Sequence, residues 1–402
     1  MKKLLLAVFS IATTFSLYAQ REVPQERMEQ IYEEVKTPYK YGLAVAPADN
    51  YHKIDCPTVF RQGDKWLMTY VVYNGKGGTD GRGYETWIAE SDNLLEWRTL
   101  GRVLSYRDGK WDCNQRGGFP ALPDMEWGGS YELQTYKGRH WMTYIGGEGT
   151  GYEAVKAPLY VGLAWTKGDI STAHEWESLD KPILSIHDKD AQWWEKLTQY
   201  KSTVYWDKDK TLGAPFVMYY NAGGRHPETD LKGERVGIAL SKDMKTWKRY
   251  SGNPVFAHEA DGTITGDAHI QKMGDVYVMF YFSAFEPSRK YKAFNTFAAS
   301  YDLVNWTDWK GADLIIPSKN YDELFAHKSY VVKHDGVVYH FYCAVNNAEQ
   351  RGIAIATSKP MGRSAVRFPV PESKNRRQIM TLNEGWKTWI TEATHLKGNF
   401  MM

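Results

Sequence analysis

Three features of the sequence predict an all-β fold: a repeated strand pattern, an aromatic-rich composition and short glycine turns between apolar segments. Of the 402 residues, 43% are hydrophobic and 14% aromatic. Such a composition indicates a large buried core rather than disorder, and aromatic side chains favour strands. The three cysteines, Cys56, Cys113 and Cys343, allow one disulfide but are too few for a disulfide framework or a zinc site.

The repeat is clearest where a strand is followed by a turn and a tryptophan. Ser-x-(Asp/Asn)-φ-x-x-Trp, in which φ is apolar, occurs at 91–97, 241–247 and 300–306. Related segments occupy 159–176 and 351–362. An aromatic-rich strand precedes each copy, and four of these strands follow a tight glycine turn such as Gln62-Gly63-Asp64. Alternation around tight turns predicts antiparallel hairpins.

Each unit therefore predicts four strands. The first strands begin near positions 55, 130, 202, 267 and 328. Five four-stranded sheets in radial order predict a five-bladed β-propeller of antiparallel blades, with a short N-terminal helical segment. A β-sandwich is the alternative, but it gives no reason for a tryptophan turn at one place in every sheet.

The N-terminus predicts export. Two lysines, a short apolar run and Ala19 before Gln20 are typical of a secretory signal peptide over 1–19, which predicts a secreted or periplasmic protein. Residues 20–51 are expected to form a helix over 24–36 and a ring-closing strand over 39–47. The propeller is expected over 52–362, and a C-terminal extension packed on it over 363–402. No segment predicts a membrane span.

Charge excludes some partners. Cleavage after Ala19 removes Lys2 and Lys3 and leaves 48 basic against 48 acidic residues. Nucleic acids and acidic membranes attract proteins with a basic excess, so neither is expected as a partner. The sequence indicates no oligomeric state. No metal or cofactor is predicted, and a Ca²⁺ ion in the channel has no clear motif to support it.

With these hairpins placed, residues 50–360 resemble the five-bladed propeller glycosidases. These are the arabinanase and β-xylosidase group of glycoside hydrolase family 43 and its relatives in families 32, 117 and 130. The resemblance lies in Asp55-Cys56-Pro57 before a hairpin and in the unit at 237–256. Cys56 is inserted relative to the family motif. Lys201 stands where the arabinanase-like group has its general-acid glutamate, so the protein is not a standard member of any one family.

The resemblance implies an exported hydrolase that cleaves glycosidic bonds in polysaccharide or oligosaccharide fragments by carboxylate acid/base chemistry, with inversion at the anomeric carbon. A glycoside phosphorylase or polysaccharide lyase on the same fold is one alternative. A non-catalytic sugar-binding propeller is another.

The first strand of every blade lines the channel of a propeller, so the residues where these strands begin should converge. Glycoside cleavage needs an acid and a second carboxylate. Asp55 is the predicted base or nucleophile. The candidates for the acid or its pKa-setting partner are Glu132 (or Asp124 in its place), Asp267 and, by analogy with family 117, His269 and His327. Strand-capping aspartates and hydrogen-bonded structural histidines are the alternatives at these positions.

The predicted substrate-binding residues are basic or aromatic: Arg82, Arg116, Trp127, Lys201, Arg225 and Lys328. The basic side chains would suit a carboxylated or sulfated sugar, or phosphate. Solvated loop arginines and a core tryptophan are the structural alternatives.

Overall fold

The computed structural model describes residues 22–75, 81–154 and 157–371. The predicted signal peptide and most of the predicted C-terminal extension, from residue 372 onwards, lie outside the described residues. Within them the chain is almost entirely β, with one α-helix, α1 (Gln25–Val35), and two one-turn 3₁₀ helices, Tyr152–Ala154 and Trp193–Glu195. The prediction of an all-β fold is confirmed.

The strands form antiparallel groups of four. The first group is β2 (His52–Gln62), β3 (Lys65–Asn74), β4 (Tyr84–Ser91) and β5 (Arg98–Leu104). The second is β6 (Gln115–Pro120), β7 (His140–Gly147), β8 (Tyr160–Thr166) and β9 (Glu177–Ser178). The third is β10 (Thr198–Trp206), β11 (Phe216–Arg225), β12 (Lys232–Ser241) and β13 (Trp247–Arg249). The fourth is β14 (Ile264–Met273), β15 (Val276–Ala284), β16 (Ala293–Ser300) and β17 (Thr307–Asp308). The last is β18 (Phe325–His334), β19 (Val337–Val345), β20 (Arg351–Thr357) and β1 (Tyr39–Val45).

The groups follow one another in space. A single parallel pair, Glu234 with Ile264, joins the third and fourth groups into one eight-stranded sheet. First strands contact in the order β6, β10, β14, β18 and β2, and β6 also contacts β3 and β4 of the first group. The N-terminal strand β1 pairs antiparallel with β20. Four-stranded antiparallel sheets arranged in this way fit a propeller.

Helix α1 packs on the last two groups through one apolar face. Met28, Ile31 and Val35 recur at helical spacing and are buried, and the ring of Tyr32 stacks on Trp309 at a centroid distance of 5.1 Å. No helix among the described residues has the length and apolarity needed to span a membrane. Cys56, Cys113 and Cys343 are all unpaired thiols.

The tryptophan turn has a local physical cause. In the copy at 241–247, Asp243 Oδ1 accepts hydrogen bonds from the backbone N–H groups of Lys245 and Thr246, at 2.9 and 2.8 Å. Met244 takes a left-handed φ of 70°, and the Trp247 indole donates to its carbonyl at 2.7 Å. Asn93 and Asp302 accept the same pair of backbone bonds. Short polar side chains that bond backbone two residues ahead favour such turns.

The predicted first strand of the second group was wrong. Strand β7 pairs with β6, not with the segment 130–136. Strand β6 contains Gly117 and Gly118 and lacks apolar/polar alternation, so it gives no strand signal. The glycines are needed for close packing, since a Cβ on Gly118 would lie 2.4 Å from Met142 Sδ.

Residues 121–136 form a bridging segment across the far ends of the first strands. Its backbone bonds to Arg61 of β2, Val204 of β10 and Lys272 of β14 at 2.7–3.0 Å. The buried hydroxyl of Tyr131 accepts from Lys333 N in β18 at 2.8 Å. This segment therefore covers the end of the first strands opposite to where they begin.

Candidate active site

Backbone irregularities turn side chains from four first strands toward one place. The pairing with the second strand slips between Asp55 and Thr58, Gln199 and Ser202, Gly266 and His269, and His327 and Tyr330. Three residues at these bulges have left-handed φ values: Cys56 at 51°, Asp267 at 57° and Lys328 at 60°. A bulge re-aims a side chain, and strain of this kind clusters at functional sites.

A pocket of about 660 Å³ lies where these strands begin. Its ionisable lining includes three carboxylates and three long cationic side chains: Glu153, Glu234, Asp267, Lys201, Lys328 and Arg351. Aromatic rings, among them Phe119, Phe282 and Phe325, form apolar walls. Apolar walls with a few convergent polar groups are typical of a catalytic or binding site.

Glu234 is a buried carboxyl group near the start of β12. Its Oε2 accepts a hydrogen bond from Asn221 Nδ2 at 3.0 Å. Burial and, after it, the negative charge of Glu153 raise the pKa of Glu234 to about 8. Glu234 is therefore protonated at neutral pH, a form that can donate a proton.

Glu153 reaches the pocket from the connection between β7 and β8. It lies in a one-turn 3₁₀ helix with φ 57° and ψ 26°, and its side chain is 31% exposed. Its Oε1 forms an ion pair with Lys328 Nζ at 3.4 Å. The preceding residue, Tyr152, anchors this turn by donating its hydroxyl to Asp55 at 2.6 Å.

Asp55 is fully buried and does not line the pocket. Its Oδ2 accepts from Lys328 Nζ at 2.7 Å and contacts Arg351 Nη1 at 3.4 Å. Burial alone would raise the pKa of Asp55, but the two cations outweigh it and hold the pKa well below its usual range. Asp55 is thus a permanent anion that fixes two cations of the pocket lining.

Lys201 and Asp267 face each other across the pocket lining. Lys201 Nζ lies 3.5 Å from Asp267 Oδ2, and both side chains are buried. Burial raises the pKa of Asp267, and the positive charges of Lys201 and Lys328 partly oppose that rise. The backbone N–H of Asp267 donates to Asn221 Oδ1 at 3.3 Å, so Asn221 connects this pair to Glu234.

The two predicted histidines are neutral. His327 lines the pocket, and its Nδ1 lies 3.2 Å from the carbonyl oxygen of Cys343, which can only accept, so Nδ1 carries the proton. Burial lowers the pKa of His327 to about 3. His269 is not in the lining; it stacks on Tyr330 at 3.8 Å, and burial lowers its pKa far below the usual value. Neither histidine is placed or protonated to act as a general acid.

Asp55, His327 and Cys343 are the one group of potential metal ligands in the described part of the chain, with ligand atoms within 4.8 Å of one another. The hydrogen bonds of Asp55 Oδ2 to Lys328 and Tyr152 already occupy this carboxylate. A metal ion there would be repelled by Lys328 and Arg351, so this cluster does not fit a cation.

The protein is similar to solved structures over most of its length. A structure named "Glycoside hydrolase" is 96% identical, with a TM-score of 0.87, and the match covers 88% of this chain and 100% of that one. A second structure with the same identity, coverage and TM-score is named as a complex of BT0996 with RGII. The present protein is a glycoside hydrolase. No protein-family model and no curated protein matches it.

More distant structures share the fold of this glycoside hydrolase. A thermostable family-43 glycoside hydrolase is 15% identical over 81% of this chain and 99% of its own, with a TM-score of 0.54. Zg3597, a family 117 glycoside hydrolase from Zobellia galactanivorans, and a structure of the GH130 family match at 14% and 13% identity, with TM-scores of 0.55 and 0.54. The resemblance to families 43, 117 and 130 and the predicted glycosidase activity are confirmed.

Two residues predicted for the site of the glycosidase lie on the bridging segment instead. Glu132 is exposed there, at the end opposite to the pocket, because the first strand of its group is β6. The indole N–H of Trp127 donates to Glu34 in α1 at 2.8 Å, and its ring stacks on Phe280. The structure does not bring either side chain to the pocket.

The predicted arginines also lie outside the pocket lining. Arg82 pairs with Asp108 at 2.6 Å, and Arg225 with Asp230 at 3.1 Å, both on the surface. Arg116 is buried in an ion-pair network with Asp112 and Glu175. Of the predicted site residues, the pocket lining contains Lys201, Asp267, His327 and Lys328.

Sequence reasoning missed Glu153, Glu234 and Arg351. Glu234 and Arg351 stand near the starts of β12 and β20, the third strands of their groups, where a charged residue precedes an apolar run. Those charges were a usable signal. Glu153 lies in a loop, and no local pattern predicts its position.

Replacing Asp55 with asparagine should destabilise the protein by about 3–5 kcal/mol, because Lys328 and Arg351 would stay buried without their counter-charge. Urea unfolding at pH 7 measures this. The stabilising charge of Asp55 is present above the unfolded-state pKa of about 3.9 and disappears only as the pH falls through the lower folded-state value.

The control is Asp64→Asn, an exposed change in the turn of the same hairpin that should leave stability unchanged. An Asp55→Asn protein of normal stability and no turnover would contradict the supporting role and restore the predicted role of base.

Proposed function

We propose that Glu234 is the general acid of this glycosidase and that Glu153 is the carboxylate that activates water or attacks the anomeric carbon. The observation that carries the proposal is that these two carboxyl groups line one pocket in contrasting environments. Glycoside cleavage requires such a pair, one protonated and one ionised.

The acid role follows from the buried position of Glu234. With a pKa of about 8, it carries its proton at neutral pH and can give it to the leaving oxygen. Its hydrogen bond from Asn221 uses Oε2. The other oxygen, Oε1, can hold the proton.

The role of Glu153 follows from its ion pair and its exposure. Lys328 balances its charge at 3.4 Å, and its partial exposure gives water access to the carboxylate. Asp55 has no such access. We assign Asp55 to positioning, since it holds Lys328 and, through Tyr152, the turn that carries Glu153.

Glu234→Gln and Glu153→Gln should each lower kcat by about 10²–10⁴-fold, the usual contribution of a positioned acid or base. In the unmodified enzyme kcat/KM should fall as the pH rises past about 8, because Glu234 then loses its proton. Residual activity in Glu234→Gln should lack this alkaline limb, since glutamine does not titrate. Release of sugar from RGII over a pH range from mildly acidic to alkaline measures both effects.

Glu177→Gln, an exposed change on β9, is the matched control and should keep full activity and the alkaline limb. Wild-type turnover in Glu153→Gln or Glu234→Gln would refute the assignment.

The substrate proposal rests on the 96%-identical structure named for a complex with RGII and on the shape of the site. We propose that the present enzyme acts on the same ligand. The bridging segment covers the far end of the first strands, so the pocket has one mouth. Such a pocket favours action at the end of a glycan, where one sugar enters it.

Hydrolysis of RGII should accordingly release a monosaccharide first. Its anomeric configuration should be inverted, as the family resemblance favours. Proton NMR in the first minutes of reaction resolves the initial anomer before mutarotation. An oligosaccharide as first product would contradict terminal action, and a retained anomer would contradict inversion.

We further propose that the sheets form five blades around the pocket. The support is the sequence of contacts from β6 through β10, β14 and β18 to β2, and the pairing of β1 with β20. A crystal structure with the sheets in another order would contradict this arrangement.

Export of the enzyme rests on the N-terminal sequence alone. A signal peptide over 1–19 predicts a mature protein that begins at Gln20. N-terminal sequencing of the protein from its native cell envelope or medium measures this, and a protein that begins at Met1 would contradict it.

A further inference from the structure

Lys201 and Asp267 line the pocket without hydrogen-bond partners. Among the described residues, neither Lys201 Nζ nor Asp267 Oδ2 makes a hydrogen bond, although both atoms are buried. Lys201 is 2% exposed and Asp267 is 3% exposed. Their separation of 3.5 Å is longer than the roughly 2.7–2.9 Å of a well-formed charge-assisted hydrogen bond.

Nothing else in the described structure completes the bonding of the Lys201 ammonium. The rings of Phe119 and Tyr330 lie 5.5 and 6.0 Å from Nζ. A buried donor or acceptor without a partner destabilises the fold, so native structures rarely keep one without a reason. Both residues lie at bulges of β10 and β14, which hold them in place through the backbone. The pair is pre-arranged for a ligand that both accepts and donates hydrogen bonds.

A sugar hydroxyl has this chemistry. Each hydroxyl accepts through its oxygen and donates through its hydrogen, so one hydroxyl can accept from Lys201 while it or its neighbour donates to Asp267. A carboxylate or sulfate on the sugar could accept from Lys201 but would be repelled by Asp267.

The charges around the pocket also favour an uncharged sugar. Lys201, Lys328 and Arg351 are positive, and Asp267, Glu153 and Asp55 are negative. Their ion pairs are Lys201 with Asp267, Lys328 with Asp55 and Glu153, and Arg351 with Asp55. Among the described lining residues, no cation is left over to bind an anionic substituent.

We infer that Lys201 and Asp267 form a subsite that binds adjacent hydroxyl groups of an uncharged terminal sugar. The inference rests on the proposed function, because it places that sugar beside Glu234 and Glu153. Asn221, bonded both to Glu234 and to the backbone of Asp267, sets the distance between the acid and this subsite.

The first test is binding of RGII to slow variants. Lys201→Met and Asp267→Asn, each added to Glu234→Gln, should weaken binding by about 10–100-fold in isothermal titration calorimetry, as expected for lost hydrogen bonds to a charged group. Lys65→Met in the same background removes a surface ion pair with Asp92 and should leave affinity unchanged. Unchanged affinity in both pocket variants would overturn the inference.

The second test separates a ligand-binding pair from a structural one. The double variant Lys201→Met/Asp267→Leu should match or exceed the wild-type melting temperature, because it removes two unpartnered buried groups, while substrate affinity falls. A lower melting temperature with normal affinity would show that the pair only supports the fold.

The third test concerns charge. Cleavage of 4-nitrophenyl glycosides of neutral pentoses or hexoses, without cleavage of 4-nitrophenyl glucuronide, is expected; cleavage of the glucuronide alone would overturn the inference. The proposed function fails separately, if Glu234→Gln keeps full turnover. In that case the KM values of Lys201→Met and Asp267→Asn still measure the subsite.

Discussion

The active site depends on one buried ionic cluster, in which the carboxylate of Asp55 binds Lys328, Arg351 and Tyr152. Asp55 lies in the first sheet, while Lys328 and Arg351 belong to the last sheet, almost 300 residues further along the sequence. Tyr152 belongs to the connection that carries Glu153. An isolated buried charge is far more costly than a paired one, so each member requires the others. The contact between first and last sheets and the placement of Glu153 are therefore one structural feature.

The same cluster separates the two carboxyl groups that we assign to catalysis. Lys328 pairs with Glu153 and with Asp55, and so lies on the Glu153 side of the pocket. Glu234 makes its hydrogen bond with a neutral amide and is buried, so its pKa rises to about 8. The charge of Glu153 contributes to this rise, as expected for neighbouring carboxylates. Proton donor and base thus differ because of their surroundings, although both are glutamates.

Local chemistry explains how much could be predicted from the sequence. The turn formed by Asp243, Met244 and Trp247 and the glycine hairpins are encoded within a few residues, so the sheets they delimit were predictable. Strand β6 was not, because its two glycines exist to let neighbouring strands approach. The convergence of first strands located Lys201, Asp267 and Lys328. Glu234 starts a third strand and Glu153 lies in a loop, so their approach to the pocket depends on pairing and on contacts with distant residues.

The bridging segment explains how so many ionisable groups can be buried in one place. Tyr131 and its neighbours bond to the far ends of the first strands, so that end of the ring of strands is covered. Water can then enter only where the strands begin, and the groups beneath that mouth lie in a medium of low polarity. Desolvation is what raises the pKa of Glu234 and what strengthens every ion pair around it. A segment with no side chain in the pocket thereby sets the electrostatics of the active site.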